Sequence, residues 1–186
     1  MNRSSLILDI LGDKADDDFS LADFSEDRRY AYLSMVASLA WSDGSIDDRE
    51  RVLLEDIASR LGGNAGAQLD AILDETQNFS IESFNRWVGK ITGMKMKVSL
   101  MVDLLLTAYA DEIYMRSENF YMKYVSGKLG IGYDLYERIF RMVKRYIADE
   151  KAARLAAEAA EREKARAAAE NRGGGIIQRF FSKDFL

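Results

Sequence analysis

Not one of the 186 residues is proline. Proline breaks helix interiors and is otherwise common in loops, so its complete absence fits a chain built mostly of helices. The hydrophobic pattern agrees. Tyr32, Val36, Leu39 and Ala40 form one stripe at helical spacing, and Val52, Leu53, Ile57 and Leu61 form another. Gly62-Gly63 supplies a helix stop after the second stripe, and Ser80 a capping residue ahead of the next apolar run. Further helices are expected over residues 68–76, from Ser80 onward, and over 95–110, 117–129 and 133–147. Nothing alternates with period two for long enough to make a strand, so the fold class is all-α.

Two other absences narrow the chemistry. Without histidine or cysteine the chain has no standard structural zinc site, thiol redox centre or His-activated nucleophile. Carboxylates, hydroxyls, Lys and Arg remain, and these suit hard cations such as Ca²⁺ or Mg²⁺, or binding without reaction. The formal net charge of −5 argues against a nucleic-acid partner held by excess positive charge. The first residues carry no secretory pattern, and the most apolar segment, 98–110, contains Asp103 and falls short of the roughly 20 residues a membrane span needs. That segment reads as a core helix and the protein as cytoplasmic, with membrane association only peripheral, at the inner face.

Composition divides the chain into four stretches. Residues 1–28 form an acidic N-terminal arm, in which only Leu6, Ile7, Ile10 and Leu11 have helical spacing; docking of this island on the core and a solvated charge run are the alternatives. Residues 29–147 form the helical domain. Residues 148–172 are alanines and charges of both signs around a single large apolar residue, Leu155, and continue the last helix with favourable pairs such as Glu150 with Arg154. This extension would reach on the order of 35 Å. Gly173-Gly174-Gly175 is expected to end it, leaving an apolar tail in 173–186. In the tail Ile176, Ile177, Phe180, Phe181 and Phe185 share one helical face, ahead of Leu186. So short a segment must borrow a surface if it orders. A partner protein, a second copy of the chain, its own domain and a membrane interface are the available surfaces, with disorder as the remaining alternative.

Self-comparison yields the most specific pattern. The stretch from Ala40 to Gly62 aligns without gaps on the stretch from Ala108 to Gly130, so the domain reads as two related halves. Asp43 and Glu50 in the first half fall on Asp111 and Glu118 in the second, and Trp41 falls on Tyr109. Each pair brackets an interhelical turn where carboxylates can converge. Asp43, Gly44, Asp47 and Glu50 also match the second half of a calcium-binding EF-hand loop, but Leu39 and Trp41 stand at the earlier ligand positions, so a complete loop is excluded. Helix capping competes with cation binding here, because Asp47 and Glu50 have the spacing of a capping box. The aromatic residues Tyr109, Tyr114, Phe120, Tyr121, Tyr124, Tyr133 and Tyr136 read as core packing with hydroxyls at the surface. Arg138, Arg141, Lys144 and Arg145 read as a solvated helix face.

The segment Ala40-Trp-Ser-Asp-Gly-Ser-Ile-Asp-Asp-Arg-Glu50, the paired Leu-Gly ends and the second copy, Ala108-Tyr-Ala-Asp111 to Glu118, resemble the TerB-like domain. That helical module is named after a tellurite-resistance protein and also occurs in membrane-linked DnaJ-type co-chaperones. The resemblance covers about Arg29 to Tyr146, with Glu112 and Met115 departing from the pattern in the second copy. It implies a non-enzymatic bacterial stress-response adaptor, with Ca²⁺ or Mg²⁺ held by Asp43, Asp47, Glu50, Asp111 and Glu118. On this reading the tail, through Ile176, Ile177, Phe180, Phe181, Phe185 and Leu186, docks a protein partner or a second copy. The residues themselves leave two other classes open: an enzyme using paired carboxylates as acid and base or as metal ligands, and a purely structural helical spacer.

Overall fold

The computed structural model describes the backbone of residues 2–12, 20–109 and 116–181, and the side-chain surroundings there except at 116, 117, 167 and 169–181. Eight α-helices lie within these residues, and none of them is in a strand. They are α1 (Arg3–Leu11), α2 (Glu26–Ala40), α3 (Asp48–Leu61), α4 (Ala65–Gln77), α5 (Ile81–Lys90), α6 (Met94–Ala108), α7 (Arg116–Lys128) and α8 (Tyr133–Phe181). The chain forms two units, Met1–Lys144 and Arg145–Leu186.

The first unit is organised on α2 and α6. Every residue from Ala31 to Ala40 is buried, and α6 is buried almost continuously from Val98 to Leu105. A helix that is apolar on all sides must be surrounded. Accordingly α2 packs against α3, α4, α5 and α6, while α6 also meets α1, α3 and α7. The buried serine hydroxyls of α2 are satisfied locally, Ser34 donating to the Tyr30 carbonyl and Ser38 to that of Met35.

Three local results correct the sequence expectation or decide between its alternatives. The inward stripe of α3 is Leu54, Ile57, Ala58 and Leu61, whereas Val52 is 65% exposed. Val52 sits two residues from Leu54, about 200° around the helix, so only one of the two can face the core. The N-terminal island takes the docked alternative and not the solvated one. Asn2 caps α1 by accepting from the Ser5 N–H at 2.8 Å, and Leu6, Ile7, Ile10 and Leu11 are buried, with α1 packed on α6. A helix this short depends on that packing for its stability. Acidic residues 13 and 16–18 lie outside the described residues.

The third difference concerns the C-terminal glycines. Gly62 ends α3 as expected, and at Gly63, where φ is +59°, an added Cβ would lie 2.8 Å from the Arg29 guanidinium. Gly173, Gly174 and Gly175, by contrast, stay inside α8. A glycine lowers helix propensity by about 1 kcal/mol relative to alanine but ends a helix only where it takes up a capping conformation. None of these three has positive φ. Within the second unit Arg154 pairs with Glu158 and Arg145 with Asp149, one helical turn apart in each case, and Leu155 is exposed. Among the described residues no helix is long and apolar enough to cross a membrane.

Candidate functional site

The first acidic turn links α2 to α3. Trp41–Asp43 makes a 3-10 turn that Gly44 closes at φ +95°, and the Trp41 indole N–H donates to the Leu73 carbonyl at 3.1 Å, fastening the turn to α4. Asp43 accepts from the Ser45 N–H at 3.0 Å. Asp47 accepts from the Glu50 N–H at 2.8 Å while Glu50 accepts from the Asp47 N–H at 3.0 Å, a complete capping box at the start of α3. Each of these carboxylates thus has a backbone N–H to bind. Of the second turn, Asp111 lies outside the described residues. Glu118 is buried in the first turn of α7, and burial together with its charge raises the Tyr109 pKa. α7 packs against the Trp41–Asp43 turn, yet no group of three or more carboxylates poised to hold a metal occurs among the described residues.

These contacts make a direct prediction. Asp47→Ala should cost about 1 kcal/mol, the usual worth of an N-cap, and urea unfolding should show the same loss in calcium and in EDTA. A loss that appears only in calcium would instead make Asp47 a cation ligand.

The aromatic residues divide between core and surface. Tyr136 is buried, and the half-buried Tyr121 donates its hydroxyl proton to the Met35 carbonyl at 3.0 Å. Phe120 and Tyr133 correct the expectation of core packing, each being 74% exposed. Tyr114 lies outside the described residues. Phe120 stacks on Tyr124 with ring centroids 6.4 Å apart and planes 7° apart, and the Lys128 ammonium stands 5.4 Å from the Tyr124 centroid. One turn separates each of these from the next, so Phe120, Tyr124 and Lys128 run as a ridge along α7. Phe84 of α5 supports it from below, 5.4 Å from Tyr124 and 6.1 Å from Tyr121 between ring centroids. Of the basic residues on α8, Arg138 reaches the Ile10 carbonyl at 3.4 Å, while Arg141, Lys144 and Arg145 are exposed. In the C-terminal segment, residues 176, 177, 180 and 181 lie within the backbone of α8, and Phe185 and Leu186 lie outside the described residues.

A second polar cluster sits in the core, around Asp103. Its neighbours Leu100, Met101, Val102, Leu104 and Leu105 are apolar and buried, and Asp103 itself is fully buried. An ionised carboxylate in such surroundings needs charged and hydrogen-bonding partners. Arg3 provides a bidentate pair, Nε to Oδ1 and Nη2 to Oδ2, both at 2.5 Å. Tyr32 donates to Oδ2 at 2.7 Å, and Arg60 Nη2 approaches Oδ1 at 3.4 Å. One carboxylate therefore joins α1, α2, α3 and α6. Burial works against the charge on Arg3, but Asp103 offsets it and leaves the Arg3 pKa raised. Burial, then the charge of Asp103, pushes Tyr32 well above its ordinary 10.0, so it stays a neutral donor.

Sequence reading treats Asp103 only as an interruption of an apolar run. A lone carboxylate in the most apolar helix of the chain is itself a signal that a buried cation must be supplied from elsewhere. No protein-family model, no curated protein and no solved structure matches this chain.

Proposed function

We propose that this chain is a non-enzymatic, self-assembling adaptor of the TerB-like kind. The observation that carries the proposal is the Phe120–Tyr124 ridge, a stacked aromatic surface open to solvent and backed by Phe84. Large exposed apolar surfaces on a folded domain mark interaction sites. The occupant is the C-terminal segment of a second copy. Its helical backbone reaches Phe181, and the sequence repeats apolar residues at 176, 177, 180 and 181, the spacing by which a helix presents one face to a hydrophobic groove. The acidic turn takes a structural part in this reading: Asp43, Asp47 and Glu50 fix the start of α3 through backbone N–H groups.

Sedimentation velocity tests the proposal over a concentration series. The full chain should associate as concentration rises, whereas a chain lacking residues 176–186 and the Phe120→Ser variant should both stay monomeric. A monomeric full chain, or equal association by all three, overturns it and leaves a helical spacer.

A further inference from the structure

Phe120, Tyr124 and Lys128 follow one another at intervals of four along α7, and the spacing recurs on α8 as Tyr136, Phe140 and Lys144. On both helices the two rings stack, with centroids 6.4 and 6.3 Å apart, and the ammonium stands 5.4 or 5.6 Å from the centroid of the second ring. Burial of Tyr136 closes the α8 row, whereas Phe120 and Tyr124 are exposed. The α7 row also carries charge of one sign. Among its described side chains Lys123 and Lys128 are exposed, and the acid Glu118 is buried. No ion pair engages Lys128 among the described residues. A partner helix that covers both rings therefore reaches a cation one turn further on.

The C-terminal segment carries a complementary row. Arg172, Ile176, Phe180 and Asp184 are also four apart, so in a helix they share one line, with Gln178 and Ser182 on the far side. Two directions of docking set Ile176 and Phe180 on the two rings. Parallel to α7, Ile176 meets Phe120, Phe180 meets Tyr124, and Asp184 falls at Lys128. Antiparallel, with Phe180 on Phe120 and Ile176 on Tyr124, Arg172 falls there instead, like charge against like. The apolar end of the segment favours the same direction. Phe185 and Leu186 follow Asp184, and the exposed Tyr133 follows Lys128 across the turn from α7 to α8.

We propose that the tail of a second copy docks parallel to α7, with Asp184 paired to Lys128. The pairing rests on self-docking at the ridge and adds a direction and a register to it. The rings supply the area, and the charges at the end of the row select the alignment. A slip of one turn would set Asp184 on the Tyr124 ring and leave Lys128 unmet. An exposed ion pair adds little affinity by itself, whereas like charges in its place oppose docking.

Sedimentation velocity of the full chain tests the pairing, and paramagnetic NMR tests the direction. Asp184→Lys should weaken association roughly tenfold, while Gln178→Lys, which adds charge on the far side, should associate as the parent does. The chain has no cysteine, so Lys183→Cys offers a single site for a nitroxide. Mixed with isotope-labelled parent, the nitroxide-bearing copy should broaden amides near Lys128 more than those near Phe120. Parent-like association by Asp184→Lys, or equal weakening by Gln178→Lys, overturns the pairing, while monomers on removal of residues 176–186 would keep the docking itself. Stronger broadening near Phe120 overturns the direction and makes Arg116 the cation that Asp184 meets. A full chain that stays monomeric, or no broadening along α7, overturns docking and pairing together.

Discussion

Asp103→Ala should destabilise the protein by about 3–5 kcal/mol, the range for removing one partner of a buried ion pair. The loss is large because the arginine is left behind. Arg3 is mostly buried and loses both of its short contacts at once, and the Tyr32 hydroxyl loses its acceptor. Against the roughly 5–15 kcal/mol that holds a typical domain together, this is a substantial share. Replacing the cluster by apolar residues, as in Arg3→Met with Tyr32→Phe and Asp103→Leu, should recover most of the loss, since well-packed apolar groups avoid the desolvation that the ions suffer and leave no buried hydroxyl without an acceptor. Urea unfolding of both variants is the check. A loss below about 1 kcal/mol for Asp103→Ala would mean that the Arg3 guanidinium reaches water or another acceptor once the carboxylate is gone. The same cluster sets an alkaline limit. Because the folded state holds the Tyr32 proton above the ordinary pKa of 10.0, the stability linked to that proton is complete below pH 10 and falls as pH rises further. Tyr32→Phe should flatten the fall in melting temperature above pH 10.

Phe84→Ala should cost a similar amount, about 3–5 kcal/mol, by emptying a fully packed aromatic site. Its effect should also have a direction. Phe84 touches Phe79 within its own region and Tyr121 and Tyr124 across on α7, with ring centroids 5.4 to 6.3 Å apart. The cavity therefore opens beneath the exposed ridge, and hydrogen exchange should speed up in α7 amides more than in those of α1. Uniform loss of protection across both helices would mean that the ridge is not braced locally. Self-association should weaken in parallel, because a docking surface that must be ordered on contact loses part of its binding energy.

Local features were legible in the sequence because their causes are local. The capping box of Asp47 and Glu50, the Gly62 stop and the Ser80 cap each depend on residues within one helical turn, and each forms at the expected place. The side of α3 that turns inward was harder to read. Val52, Leu53 and Leu54 are all apolar, and only contact with α2 and α4 decides between them. Phe120 has the composition of a core residue, and nothing near it in sequence records that its side of α7 is uncovered. The Asp103 cluster was illegible for another reason. Its strongest partner lies 100 residues away in sequence and its other two on separate helices, so no short window contains the site. The Gly173-Gly174-Gly175 stop failed because composition reports propensity, while termination requires a capping geometry.

The reach of the Asp103 cluster along the chain bears on how the protein is made. Arg3 is synthesised 100 residues ahead of Asp103, which at about 5–20 residues per second is a wait on the order of 5–20 s. Throughout that interval α1 has no α6 to receive Leu6 and Ile10, and its arginine has no carboxylate to meet. α1 is too short to hold helical structure alone, so it joins the fold only after the ribosome has released α6. The first helix in sequence is thus among the last to be secured, and a translational pause before α6 would lengthen the exposure of its apolar face to chaperones.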